Sequence, residues 1–238
     1  MYEHAAIHDI INCTMAHGTL LLAGSGEFTD AMIKVDRYLF RDIKNPAIAI
    51  IPTAAGQETD WLKWVEYGKI HFKKLGMHAY GVSLRKKSDA SKPSVIADIA
   101  KANAFYFSGG DPAYVLSVMK KSPAWNTVYR KFQEGAVLAG SSAGAMFMGS
   151  WIPSNIRGVL EDGTKEPQWE KALGLVPYMI WPHYDWGRRT FGDKITRLIE
   201  AGQKKSSWLG IDEDTAVIWE SGKKPRVMGS GTAHWNVE

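Results

Sequence analysis

The sequence predicts a three-layer α/β fold: a doubly wound, mostly parallel sheet with helices on both faces. Short apolar runs alternate with amphipathic stretches of helical spacing over most of the chain. Several of those runs end in small-residue turns, at Gly24-Ser25-Gly26, Ser108-Gly109-Gly110-Asp111 and Gly140-Ser141-Ser142-Ala143-Gly144. No internal repeat, low-complexity tract or linker rich in Pro, Gly or Ser interrupts the order. Residues 18–238 therefore read as one domain, and residues 1–17 as an N-terminal extension outside the core.

Thr19 to Ala23 is a short apolar run closed by glycines, a buried first strand. Thr29 to Phe40 spaces Met32, Ile33, Val35 and Leu39 as a helix does, with Thr29 or Asp30 as its cap. Ala47 to Thr53 reads as a second buried strand. Glu58 to Leu75 reads as a long amphipathic helix carrying Trp61, Leu62, Val65, Ile70 and Phe72 and ending at Gly76. Met77 to Leu84 is a third strand, Pro93 to Lys101 a short helix, and Ala104 to Phe107 a fourth strand. Pro112 then stands at a first helical position with Asp111 as N-cap. Ala124 to Glu134 is a further helix, and Gly135 separates it from the run Ala136 to Ala139 that feeds Ser142.

Composition narrows the class. The chain has 238 residues, 45% hydrophobic and 23% charged, which describes a globular protein with a substantial core. Its net charge is +4, but the basic residues come as scattered pairs such as Lys73-Lys74 and Lys120-Lys121, a solvated surface and not a nucleic-acid stripe. One cysteine, Cys13, excludes an intrachain disulfide and Cys-rich metal sites. No stretch has the apolar length of a membrane span, and the N-terminus has no basic segment followed by an apolar one, so a cytoplasmic location is expected. His4 and His8 could share a helix face, but with no third ligand nearby no metal is expected. No cofactor is expected either.

In open parallel sheets ligands bind beyond the carboxyl ends of the strands. The turns at Gly109-Gly110 and at Ser142 both follow strands, which places them on one rim. A strand, a small-residue turn centred on Ser142 and a helix form a nucleophile elbow, with the hydroxyl held at a helix N-terminus. Small residues there would equally serve tight strand–helix packing. The Gly-Gly turn can offer backbone N–H groups to an oxyanion, or act as a purely structural turn. A serine nucleophile needs a base oriented by a carboxylate. His17, His71, His78 and His234 show no supporting neighbours, whereas His183 ends the apolar run Leu175 to Pro182 and precedes Tyr184-Asp185, a strand-end position. Asp212-Glu213-Asp214 stands at the start of another strand-like run, either an exposed turn or a carboxylate facing a His–Ser pair.

Taken in order, Phe107-Ser108-Gly109-Gly110-Asp111, Ala139 to Ala145, Pro182 to Asp185 and Gly210 to Ala216 resemble the S51 serine peptidases, which include aspartyl dipeptidase (peptidase E) and cyanophycinase. The resemblance runs from about Gly18 to the C-terminus. It implies a fold similar to the class I glutamine amidotransferase domain, flavodoxin-like, with serine in place of the amidotransferase cysteine. It makes Ser142 the nucleophile, His183 the general base and Glu213 the carboxylate that orients it. Asp212, Asp214 and Asp162 are the alternative acids. Gly110 and Ala143 would supply the oxyanion N–H groups, with Asp111, Ser141, Arg188 and Arg189 as candidate substrate-binding residues.

Specificity is less legible. Cyanophycinases commonly carry a glutamine just after Gly-Gly-Asp, where this chain has Pro112-Ala113, and their histidine motif is followed by spaced arginines, where it has Tyr184-Asp185-Trp186-Gly187-Arg188-Arg189. The dipeptidase branch recognises an acidic residue with cations, so Arg188, Arg189 or Arg197 could bind a substrate carboxylate, or be ordinary helix-surface charges. Trp181 and Trp186 suggest an aromatic pocket wall. The expected activity is hydrolysis of small peptides, with Asp-X dipeptides as the specific class. The expected partners are a small peptide and, as an assembly, a homodimer; nucleic acid and membrane are not expected. An esterase or amidase using the same three residues, and a catalytically idle binding domain of this fold, are the alternatives.

Overall fold

The computed structural model describes residues 18–236. The extension read at residues 1–17, with His4, His8, Cys13 and His17, lies outside them. Five strands alternate with helices in the first two-thirds of the chain: β1 (Thr19–Ala23), β2 (Ala47–Ile51), β3 (His78–Gly81), β4 (Ala104–Phe107) and β5 (Val137–Ser141). The helices between them are α1 (Ile33–Leu39), α2 (Lys63–Lys74), α3 (Pro93–Lys101), α4 (Pro112–Met119) and α5 (Pro123–Gln133). The strands pair in parallel in the order β3-β2-β4-β5-β1.

Side chains of these strands alternate between two cores, as the two-residue period of a pleated strand requires. On one face Leu20, Leu22, Ile51, Phe105, Phe107 and Leu138 pack with α3, α4 and α5. On the other, Leu21, Ala23, Ile48, Tyr106 and Ala139 pack with Val35 and Leu39 of α1 and Phe72 of α2. Each fully buried Leu, Ile or Phe contributes about 1.5–3 kcal/mol, so the sheet is the rigid body of the molecule. The predicted three-layer arrangement is the observed one.

Two local expectations change. The α2 helix begins at Lys63, after turns over residues 58–62, and its buried face is Val65, Gly68, His71 and Phe72. Leu62 and Ile70 are exposed. At 3.6 residues per turn Ile70 sits roughly 140° around the helix from Val65, on the solvent side. The third strand stops at Gly81 because its neighbour β2 runs into Pro52 and a 3₁₀ turn at Thr53–Ala55.

The last third of the chain departs more. After the short helix α6 (Ala143–Met146) come the hairpin β6 (Trp151–Pro153) and β7 (Trp169–Lys171), with α7 (Ile156–Asp162) between its strands. Then follow β8 (Met179–Trp181), α8 (Tyr184–Phe191), α9 (Asp193–Gln203) and β9 (Trp208–Ile211), and finally β10 (Thr215–Trp219), β11 (Arg226–Gly229) and β12 (Ala233–Asn236). The apolar run before His183 therefore does not join the main sheet. Only Met179 to Trp181 pairs, with β9 and in a separate sheet of order β12-β9-β8, over a small core of Val159, Met179, Trp181, Ile195, Leu198 and Ile199. The β10 strand returns to the main sheet antiparallel to β1, with Ala216 opposite Ala23. Its start thus lies at the carboxyl-end rim of the parallel strands. Among the described residues no helix is long and apolar enough to cross a membrane.

Glu220, just past β10, ties the antiparallel edge to α1. Its carboxylate accepts from Arg41 Nη2 at 2.5 Å, from Tyr38 Oη at 2.9 Å and from Lys223 Nζ at 3.3 Å. Partial burial pushes this carboxyl up, but the three donors outweigh burial and hold it at about 2, against an ordinary 4.5. A depressed folded-state value stabilises the fold fully above pH 4.5, and that stabilisation fades as pH falls from 4.5 toward 2. Thermal unfolding measured from pH 6 to pH 2.5 should show a shallower acid limb for Glu220→Gln than for the wild type; parallel limbs would mean that Glu220 contributes nothing to acid sensitivity.

Candidate active site

Ser142 sits between β5 and α6 with φ 53° and ψ −118°, a left-handed backbone that costs a non-glycine residue about 1–3 kcal/mol. The neighbourhood over-determines this conformation. The Ser142 N–H donates to Ala23 O at the end of β1, at 3.0 Å, and the Ser142 carbonyl accepts from Ala145 and Met146. A Cβ on Gly140 would meet Gly144 O at 2.0 Å, and one on Gly144 would meet Phe107 O at 2.4 Å. Only glycine lets the strand, the short helix and β4 approach this closely. The turn is an elbow, as its sequence suggests.

His183 also has a left-handed backbone, φ 49° and ψ 36°, between β8 and α8. Its Nε2 lies 2.9 Å from Ser142 Oγ and its Nδ1 3.1 Å from Glu213 Oε1. In the tautomer that satisfies both contacts, Nδ1–H donates to Glu213 and Nε2 accepts from Ser142. Glu213 occupies the turn from β9 into β10, so its position is set by the junction of the two sheets. Asp185 reaches across from the first turn of α8 and accepts the Glu213 N–H at 2.9 Å. Burial pushes the Asp185 carboxyl up, but the Glu213 and Trp186 amides and the Arg189 guanidinium outweigh it and leave it below the ordinary carboxylate range. The segment that carries His183 thereby also anchors the backbone of Glu213.

The other acids go elsewhere. Asp212 accepts from Thr232 N at 2.9 Å and pairs with His234 Nε2 at 3.0 Å, which anchors β12. Asp214 has φ 51°, and its N–H donates to Ser25 Oγ. Asp162 is exposed at the end of α7, paired with Thr164 and Lys165. Of the remaining histidines, His71 is buried against Asp36 at 2.7 Å, and both it and His234 have a carboxylate partner that the sequence did not reveal.

The Gly-Gly turn is partly occupied. Glu27, buried and unremarked in the sequence, accepts from Gly109 N at 2.8 Å with Oε1 and from Ser141 Oγ at 2.6 Å with Oε2. Gly109 N–H is thus not free for an oxyanion, whereas Gly110, with φ 142°, lines the space in front of Ser142. A Cβ on Gly110 would meet Ala54 C at 2.3 Å, so the turn tolerates no other residue there. Ala143 N–H opens α6 and belongs to the donors that have no acceptor within their own helix. Ser141 is fully buried and turned to Glu27. Asp111 caps α4 by accepting from Tyr114 N at 2.9 Å.

Neither Arg188 nor Arg189 is drawn to Ser142. Arg188 donates to Tyr184 Oη at 3.3 Å, and Arg189 pairs with Asp185 at 3.0 Å; both are exposed. The cation on the wall of the cavity beside Ser142 and His183 is Arg157, on α7. Trp181 and Trp186 do line that cavity, and the Trp186 ring stands edge-on to His183 at 6.0 Å. Residues such as Glu27 and Arg157 had no local signal: they are single charged side chains whose place depends on distant chain. Among the described residues no group of three or more His, Cys, Asp or Glu could hold a metal ion.

Fold and site together define a class: a doubly wound α/β protein with a serine, a histidine and a carboxylate aligned at the carboxyl-end rim of its sheet. The chain belongs to Peptidase family S51, whose sequence profile matches residues 20–227. It is 24% identical over 198 residues to a cyanophycinase of Synechococcus elongatus, an alignment covering 78% of this chain and 56% of that protein. It is 25% identical over 166 residues to peptidase E of Streptomyces coelicolor, covering 64% of this chain and 65% of that one. The chain thus spans about half to two-thirds of the length of these relatives. A crystal structure of a peptidase from an acI-B1 Actinobacterium superposes with a TM-score of 0.81 at 30% identity, covering 93% of this chain and 91% of that one.

Removal of Glu27 tests its place in this arrangement. Glu27→Ala leaves the Gly109 N–H and the Ser141 hydroxyl without their buried acceptor, at about 1–3 kcal/mol for each orphaned group. Urea unfolding should show a midpoint lowered accordingly; an unchanged midpoint would mean that both groups find other partners.

Proposed function

We propose that this chain is a serine peptidase that hydrolyses small peptides through Ser142, His183 and Glu213 by way of an acyl-enzyme. The observation that carries the reading is the continuous line from Ser142 Oγ to His183 Nε2, 2.9 Å, and from His183 Nδ1 to Glu213 Oε1, 3.1 Å. His183 Nε2 takes the hydroxyl proton as Ser142 Oγ bonds to the scissile carbonyl carbon. The N–H groups of Gly110 and Ala143 receive the oxyanion, and Glu213 stabilises the imidazolium. As the C–N bond breaks, His183 returns the proton to the leaving amine. A water molecule then repeats the cycle on the ester: its proton passes to His183, its oxygen bonds to the acyl carbon, the bond from that carbon to Ser142 Oγ breaks, and His183 returns the proton to Ser142 Oγ as the acid leaves.

Asp-X dipeptides are the specific class that the family resemblance brings to this reading. Recognition of their side-chain carboxylate would require a cation; Arg157 is on the cavity wall beside the oppositely charged Glu161, while Arg188 and Arg189 are not on it.

A fluorophosphonate label followed by mass spectrometry should modify Ser142 in the wild type and nothing in a folded Ser142→Ala. A dipeptide-library screen should show hydrolysis that Ser142→Ala abolishes and that Glu213→Gln lowers in kcat by about 10³–10⁴-fold. Turnover of short-chain esters without any peptide would replace the peptidase reading by an esterase. An unlabelled Ser142 in a folded wild type would replace it by a binding domain.

A further inference from the structure

Two cavities share Gly110, Ser142 and His183 as a common wall. The first, about 250 Å³, is walled by Met146, Ile156, Leu160, Trp186, Phe191 and Ile195. Its charged side chains, Arg157 and Glu161, are both exposed and stand four residues apart on α7, opposite in sign. The second, about 500 Å³, contains Glu27, Glu213 and Asp214 in its wall and no lysine or arginine.

A substrate carboxylate fits neither space well. In the first it would leave water for an apolar wall, where an ion is costly unless paired, and the wall's one arginine or lysine, Arg157, is exposed and shares α7 with the oppositely charged Glu161. In the second it would face three carboxylates of its own sign. The first cavity instead matches a large apolar side chain. A volume of about 250 Å³ leaves room for one such side chain. Walls of this kind, with few polar groups, are typical of sites that take apolar ligands.

Resting on the peptidase reading above, we propose that the residue flanking the scissile bond in the preferred substrate is large and apolar, of the Leu, Met or Phe class, and that its side chain fills the cavity between α7, α8 and Ser142. Aspartyl peptides are then poor substrates.

The test is a kcat/KM comparison of X-Ala and Ala-X dipeptides, with X as Phe, Leu, Met or Asp, on the wild type and two cavity variants. In at least one position the apolar peptides should exceed the aspartyl one by about tenfold or more. Ile156→Arg, which sets a cation in the cavity, should shrink that ratio by about tenfold or more. Phe191→Ala should lower the Phe and Leu values while sparing Asp. Fluorophosphonate labelling of Ser142 confirms that each variant retains its site. Aspartyl peptides cleaved as fast as apolar ones, or ratios that neither variant moves, would overturn the inference and leave the peptidase reading intact. A labelled enzyme that cleaves none of these peptides also overturns it. An unlabelled wild type removes the peptidase reading and the inference with it.

Discussion

The left-handed backbone at Ser142 is the constraint on which the site depends. A serine does not hold φ near 53° unaided, and here the hydrogen bond to Ala23 O and the close contacts of Gly140 and Gly144 hold it. Those contacts exist because β1, β5 and β4 lie side by side, in parallel, and end at one rim. Parallel pairing is therefore not only architecture. It brings the end of β1 within reach of the elbow and the Gly109-Gly110 turn within reach of the hydroxyl.

The other two members of the line come from a different body of structure. His183 follows a strand of the small sheet, and Glu213 lies where the chain leaves that sheet for the main one. Their separation from each other and from Ser142 is set by how the two sheets meet, which makes the hydrogen bond from Glu213 N–H to Asp185 informative. It fixes the acid's loop to the segment that begins with His183. Arg189, facing Asp185, supports that fixture from the surface.

Charge is distributed unevenly around this centre. Carboxylates crowd one cavity, and one of them, Glu27, is consumed in bracing Gly109 and Ser141. The other cavity is apolar because Ile156 and Leu160 of α7, Trp186 and Phe191 of α8, and Ile195 and Ile199 of α9 line it. The match to Peptidase family S51 spans residues 20–227, which include both the main sheet and the segment from β6 to β9 that supplies most of the apolar cavity's lining.

Local patterns were enough for a great deal. Residues 19 to 142 announced their strands by apolar runs, their helices by period and their caps by Pro112 and Asp111, because each such signal lies within one turn or one pleat. The resemblance carried by the order of motifs pointed to Ser142, His183 and Glu213, with Asp212, Asp214 and Asp162 as alternative acids. Beyond Met148 the run Leu175 to Pro182 could not tell which sheet it would join, since an apolar run states that it is buried but not against what. Glu27 and Arg157 gave no sign in sequence, Asp185 stood in the histidine motif without a role, and Arg188 and Arg189 sit on the surface against Tyr184 and Asp185. A charged side chain acquires its role from partners that can lie more than a hundred residues away, as Glu27 does from Ser141. The sequence by itself determined the layers and the elbow, which follow from short-range sterics and periodicity, and its resemblance to a family supplied the candidate reacting groups. The meeting of the two sheets, and with it the alignment of serine, histidine and carboxylate and the character of the cavities beside them, was decided only by long-range packing.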